Sequence, residues 1–309
     1  MKRVAAVLGS LACLFVAGAG GAAPGGGVWR ALEPLPLART EVAAAVVGFE
    51  IAVAGGFLSG GSTSRQVDIY APAIGEWHRA PDLPVGVNHA MAATLGGRLV
   101  VVGGYASGGA TRGAFVLDGR RWRSLPQLPS ARAAGGAVVV GGSLHVVGGV
   151  GPSGLARSVF VYEPRKRRWL ALPGPTPREH LAVAAAGGRI YAIGGRSAGI
   201  DTNLDLVETW KPGDARWRRL APVPEPRGGT GAAFARGTIV SVGGEAPGGT
   251  LGRVFGYDVA SGTWRALPDL PTPRHGLGVV ALAGVVYAIG GGPQPGLHVS
   301  AANEALTLG

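Results

Sequence analysis

Arg178-Glu179-His180 sets a guanidinium, a carboxylate and an imidazole on three consecutive positions. A carboxylate and an imidazole can exchange protons near neutral pH, and a guanidinium beside them can hold an anionic substrate. Together they are the parts needed to open and reclose a sugar hemiacetal. The arginine recurs. Arg39, Arg132, Arg178, Arg227 and Arg274, with Val87 in the remaining place, each precede a Gly-Gly pair by sixteen residues. A ring of such forked donors suits carboxylate recognition.

The two residues after this position break the repetition: Thr40-Glu41, Asn88-His89, Ala133-Ala134, Glu179-His180, Gly228-Gly229 and His275-Gly276. Three histidines invite a metal ion. His89 and His180 stand two places past the arginine position, however, and His275 only one, on the opposite side of an extended chain. No metal and no cofactor is therefore expected, and Asn88, His89 and His275 read as polar pocket residues beside the arginines.

The elements that must position these groups follow from a repeat. Gly-Gly pairs close short apolar runs at IAVAGG (51–56), LVVVGG (99–104), LHVVGG (144–149), IYAIGG (190–195), IVSVGG (239–244) and VYAIGG (286–291). Trp29, Trp77, Trp122, Trp169, Trp217 and Trp264 keep the same step, and each is followed by a proline-punctuated segment. A period of this length with several short strands per repeat predicts a β-propeller, in which each sheet buries its faces only against its neighbours. Trp29 begins an outer strand with nothing before it, and Asn303–Leu308 is a third strand with nothing after it. Pairing the two closes a sixth blade. The fold class expected is all-β: a six-bladed propeller of four-stranded blades over residues 25–309.

The double glycine, the spaced aromatic and tryptophan, and the Pro-x-x-Arg run resemble the kelch repeat, in six copies across the chain. The resemblance implies several roles: adaptors that bind peptides on one face, galactose oxidase, and a bacterial exported sialic-acid mutarotase. In kelch relatives the matching arginines border a pocket for acidic peptides or sugar acids. The copper-radical chemistry of galactose oxidase needs a cysteine cross-linked to a tyrosine, and the only cysteine, Cys13, lies in the leader described next. The reading favoured is a non-catalytic interaction module that binds a protein segment or an acidic glycan at the arginine-lined mouth. The alternative is a sugar-acid mutarotase or epimerase with Glu179 and His180 as acid and base.

Composition bounds these readings. Gly 56 and Pro 23 among 309 residues argue against a mainly helical chain, and 47% hydrophobic with 15% charged residues excludes a solvated disordered one. Residues 1–23 have a basic start, an apolar stretch and small residues at the end, the layout of a secretory signal peptide, so a monomer secreted or held in the periplasm or envelope is expected. The net charge of +11 comes almost wholly from arginine and reads as compositional. The densest basic runs, at 120–123, 165–168 and 216–219, interleave with repeat tryptophans. They suggest an anionic envelope surface rather than nucleic acid.

Overall fold

The computed structural model describes residues 26–309; residues 1–23, where a signal peptide is expected, lie outside them. Six four-stranded antiparallel sheets follow one another around an axis. The first blade shows the order from the axis outward: Ala43–Val47, Glu50–Ala54, Val67–Ala71 and Glu76–Arg79. Blades two to five repeat it, beginning at Met91–Leu95, Gly136–Val140, Ala182–Ala186 and Gly231–Ala235. The sixth takes three strands from the C-terminal end and its outermost, Val28–Ala31, from the N-terminal end, with Trp29 opposite Leu306. The first and last strands of the described residues thereby share one sheet, and the ring closes as the repeat predicts.

Crowding dictates which residues sit where. The innermost strands converge on the axis, so they are built mostly from alanine, valine and glycine. Second strands such as Ile51–Ala54, Leu99–Val102 and Ile190–Ile193 are fully buried between sheets. At the strand-end glycine pair, a Cβ on Gly56 would lie 2.6 Å from the Thr40 carbonyl oxygen and 2.7 Å from Val42 Cγ1, and its φ is 99°. Only glycine meets both demands there.

The tryptophans lock blade to blade. Trp77 Nε1 donates to the Glu33 carbonyl, Trp122 to Pro81, Trp169 to Pro126, Trp217 to Pro173, Trp264 to Ala221 and Trp29 to Pro268, at 2.7–3.2 Å. Each acceptor belongs to the segment that leaves the preceding blade. Tyr70, Tyr162 and Tyr257 pack on the tryptophan seven residues later, with ring centroids 5.0–5.1 Å apart. A half-buried indole thus packs its ring against the sheets while its N–H stays bonded, as suits an aromatic with a polar edge. Among the described residues, no helix is long and apolar enough to cross a membrane.

Candidate functional site at the axial mouth

The recurring arginines do not line the mouth. Arg39, Arg178, Arg227 and Arg274 are 0% exposed and Arg132 is 3% exposed. Their side chains run inward between strands, and the sixteen-residue spacing has a structural meaning. Arg39, Arg132, Arg178 and Arg274 donate to the carbonyls of Gly55, Gly148, Gly194 and Gly290, the first glycine of each pair. A buried guanidinium also needs a counter-charge. Asp68, Glu208 and Glu304, the second residue of the third strand in blades one, four and six, meet Arg39, Arg178 and Arg274 at 2.5 Å. Arg227 pairs instead with Glu225, and Arg132 has only carbonyls, Ser158 and the face of Phe160. Burial pulls the Arg39 guanidinium down to about 10 against the opposing pull of Asp68. The expectation of five binding arginines is corrected: they are internal ties, closed off by carbonyls and carboxylates.

What faces the axis is the position two residues further on. Glu41, His89, Ala134, His180, Gly229 and Gly276 all take left-handed backbone, with φ between 50° and 67°. This turn lets each one join a belt of main-chain hydrogen bonds around the axis. His89 N donates to Glu41 O, Ala134 N to His89 O, His180 N to Ala134 O, Gly229 N to His180 O and Gly276 N to Gly229 O, and Val42 N closes the belt on Gly276 O. Four of the six are not glycine, so the belt holds side chains where the backbone is strained, as functional sites often do. The six residues line a cavity of about 100 Å³. Small neighbours make room for large ones: a Cβ on Gly276 would come within 2.5 Å of Glu41 Oε1.

The polar side chains close into a circuit. His89 Nε2 lies 3.3 Å from Glu41 Oε2, and Glu41 Oε1 lies 3.2 Å from His275 Nδ1. His275 Nδ1 is 3.6 Å from Glu245 Oε2, whose other oxygen accepts from Arg196 at 2.8 Å. Arg196 Nε reaches Glu179 Oε1 at 3.2 Å, and that oxygen is 3.3 Å from His180 Nδ1. The His180 ring meets the His89 ring edge-on at 4.9 Å. Both nitrogens of His275 face acceptors, Glu41 on one side and the Gln294 carbonyl on the other. Although burial lowers its pKa, these partners outweigh burial and hold it above the ordinary imidazole value. His89 goes the other way: burial dominates the pull of Glu41 and brings it down to about 4. Burial favours the neutral form of Glu41, but His89, His275 and His180 together hold its carboxyl well below the usual carboxylate range. Glu179 is likewise held low by His180 and Arg196 against burial.

The structure brings His89, His180, His275 and Glu179 together and places Asn88 against them through its Oδ1, 2.6 Å from His89 Nδ1. It adds Glu41, Arg196 and Glu245. Glu41 shares the register of His89 and His180, a signal present in the sequence once the second position is recognised as the axial one. His275, one residue off that register, stands behind Glu41 as strand alternation implied. One ligand atom each from Glu41, His89 and His180 lie within 4.8 Å of one another.

Below this charged mouth the channel changes character. Its walls are the inner strands, including Ala45, Ala93, Val138, Ala184, Ala233 and Val280, around a bore of about 410 Å³. The basic runs lie on the turns at that opposite end.

Comparison with known proteins agrees with this geometry. The family model of the KLHDC2/KLHL20/DRC7 Kelch-repeats domain matches residues 88–292, about two-thirds of the chain. Kelch-like ECH-associated protein 1B of Danio rerio is 37% identical over 79 residues, which are 25% of this chain and 14% of that protein. The solved structure of YjhT superposes with a TM-score of 0.77 at 16% identity, covering 88% of this chain and 95% of that one, and so shares the fold. The chain belongs to the kelch-repeat family.

Proposed function

We propose that this propeller is an exported interaction module that seats a protein segment over the axial mouth. The observation that carries the reading is the gathering of the non-repeating polar side chains, Glu41, His89, Glu179, His180, Glu245 and His275 with Arg196, at one end of the axis. The loops after the six glycine pairs surround that end. Kelch domains commonly serve as binding platforms, and export rests on the layout of residues 1–23. Three carboxylates at the mouth make an acidic glycan a poorer ligand than a segment bearing donors. The sugar-acid mutarotase reading needs Glu179, His180 and at least two of the recurring arginines around one pocket. Those arginines are sealed away, and about 100 Å³ is well under the ~300–1,000 Å³ of ordinary small-molecule sites.

A photo-crosslinking residue at Ser107, exposed in a loop beside the mouth, is compared with one at Ile74, exposed at the opposite rim. Crosslinking in the producing cells is expected to yield one discrete protein adduct from position 107 and none from 74, lost in Glu41→Gln plus Arg196→Ala. Adducts of equal intensity from both rims would overturn the reading. Fractionation with N-terminal sequencing should find a chain lacking residues 1–23 outside the cytoplasm; an intact chain confined to the cytoplasm would contradict export.

A further inference from the structure

The geometry points to a three-ligand site for a divalent transition-metal ion of zinc type, formed by Glu41, His89 and His180 at the axial mouth. His89 and Glu41 meet in an electrostatic mismatch. Asn88 Nδ2 donates to Thr63 Oγ1, which turns Asn88 Oδ1 toward His89 Nδ1 at 2.6 Å. An amide oxygen only accepts, so the ring proton of a neutral His89 belongs on Nδ1. His89 Nε2 then presents a lone pair to the carboxylate oxygen Glu41 Oε2, 3.3 Å away. Two acceptors at that distance call for a positive charge between them, which a metal ion supplies in place of a proton.

Zinc bonds of ~2.0–2.1 Å in tetrahedral array separate donor atoms by about 3.3–3.4 Å, and the His89–Glu41 pair already stands at 3.3 Å. The three donor atoms lie within 4.8 Å of one another, so closure on an ion asks for a shift of about an ångström at the third ligand.

Ligating imidazoles and carboxylates are usually held from behind by a second polar group. Asn88 stands behind His89, Glu179 Oε1 lies 3.3 Å from His180 Nδ1, and His275 donates to the far oxygen of Glu41. The three ligand side chains are only 8–12% exposed, but they line the cavity that opens at the mouth. Two imidazoles and one carboxylate suit zinc and its neighbours rather than calcium or magnesium. Three protein ligands leave a position open for water or for a donor from a bound partner. The inference does not require the partner proposed above, because the metal is read out alone.

The test uses the purified protein, freed of metal with chelator and titrated with zinc, with cobalt(II) as the spectroscopic substitute. One ion per chain is expected, with the visible absorption of low-coordinate cobalt(II). Glu41→Gln, His89→Gln and His180→Gln should each weaken binding at least 100-fold, Glu179→Gln about 10- to 100-fold, and His78→Ala not at all. Circular dichroism separates loss of the site from loss of the fold. In wild-type protein, zinc should protect His89 and His180, but not His78, from diethylpyrocarbonate. Binding below a tenth of an ion per chain, binding that survives all three ligand variants, or equal labelling with and without zinc would overturn the assignment.

Discussion

Two sets of charged groups sit side by side in this propeller and behave in opposite ways. The arginines sixteen residues before each glycine pair recur in five blades, are sealed from water, and spend their donors on backbone carbonyls and, in three blades, on an acid of the third strand. The groups two residues beyond them vary from blade to blade and face the axis, and Glu41 among them bonds across blades to His89 and to His275. A repeated residue answers a need that every repeat shares, which here is tying the chain as it turns into a blade. A residue found in one or two blades answers a need of the whole ring. Repetition points to scaffold and its interruption to the site.

The largest effect is expected from removing an arginine tie. Arg178→Ala or Arg274→Ala leaves Glu208 or Glu304 buried without a counter-charge, and ~3–5 kcal/mol of stability should be lost in chemical unfolding. Replacing both members of a pair by apolar residues should recover much of it. Arg132→Ala strands no carboxylate, only carbonyls and the Ser158 hydroxyl, so its cost should be ~1–3 kcal/mol. Equal losses at Arg132 and Arg178 would mean that the acids do not set the difference.

At the mouth, Gly276→Ala asks a Cβ to share space with Glu41 Oε1 at a φ of 59°. A loss of about 1 kcal/mol is expected, with the Glu41 carboxylate displaced and metal binding weakened. The effects of pH at the two histidines have opposite signs. His89 in the folded chain stays neutral down to about 4, whereas the unfolded chain takes up that proton near pH ~6.5. Its contribution is therefore present above ~6.5 and lost as pH falls toward 4. His275 is held above its ordinary value, so its contribution is full below ~6.5 and lost as pH rises through the folded pKa. Melting curves in chelator should show His89→Ala flattening the acid side and His275→Gln the neutral side.

The fold was legible because every blade repeats the same physical instructions. Gly-Gly ends a strand, the tryptophan reaches the preceding blade, and the unpaired strands at the two ends have only each other. The site was half legible. His89, His180, His275 and Glu179 stood out by chemical type, and the structure gathers them. The arginines misled because a ring of guanidiniums on paper does not say which way each points. The informative partners, Asp68, Glu208 and Glu304, sit about thirty residues downstream on another strand. The left-handed turn that aims Glu41 at the axis carries no local signature, since glutamate and alanine rarely adopt it. Its link to His275 spans 234 residues and exists only because the ring closes.

The direct measurement is arginine-specific labelling of the folded protein with phenylglyoxal, read by peptide mass spectrometry. Arg120, Arg121 and Arg157, which are exposed, should be modified, while Arg39, Arg178, Arg227 and Arg274 stay unlabelled until the protein unfolds. Rapid labelling of those four in the native state, competed by an acidic ligand, would return them to the mouth and contradict the division between scaffold and site.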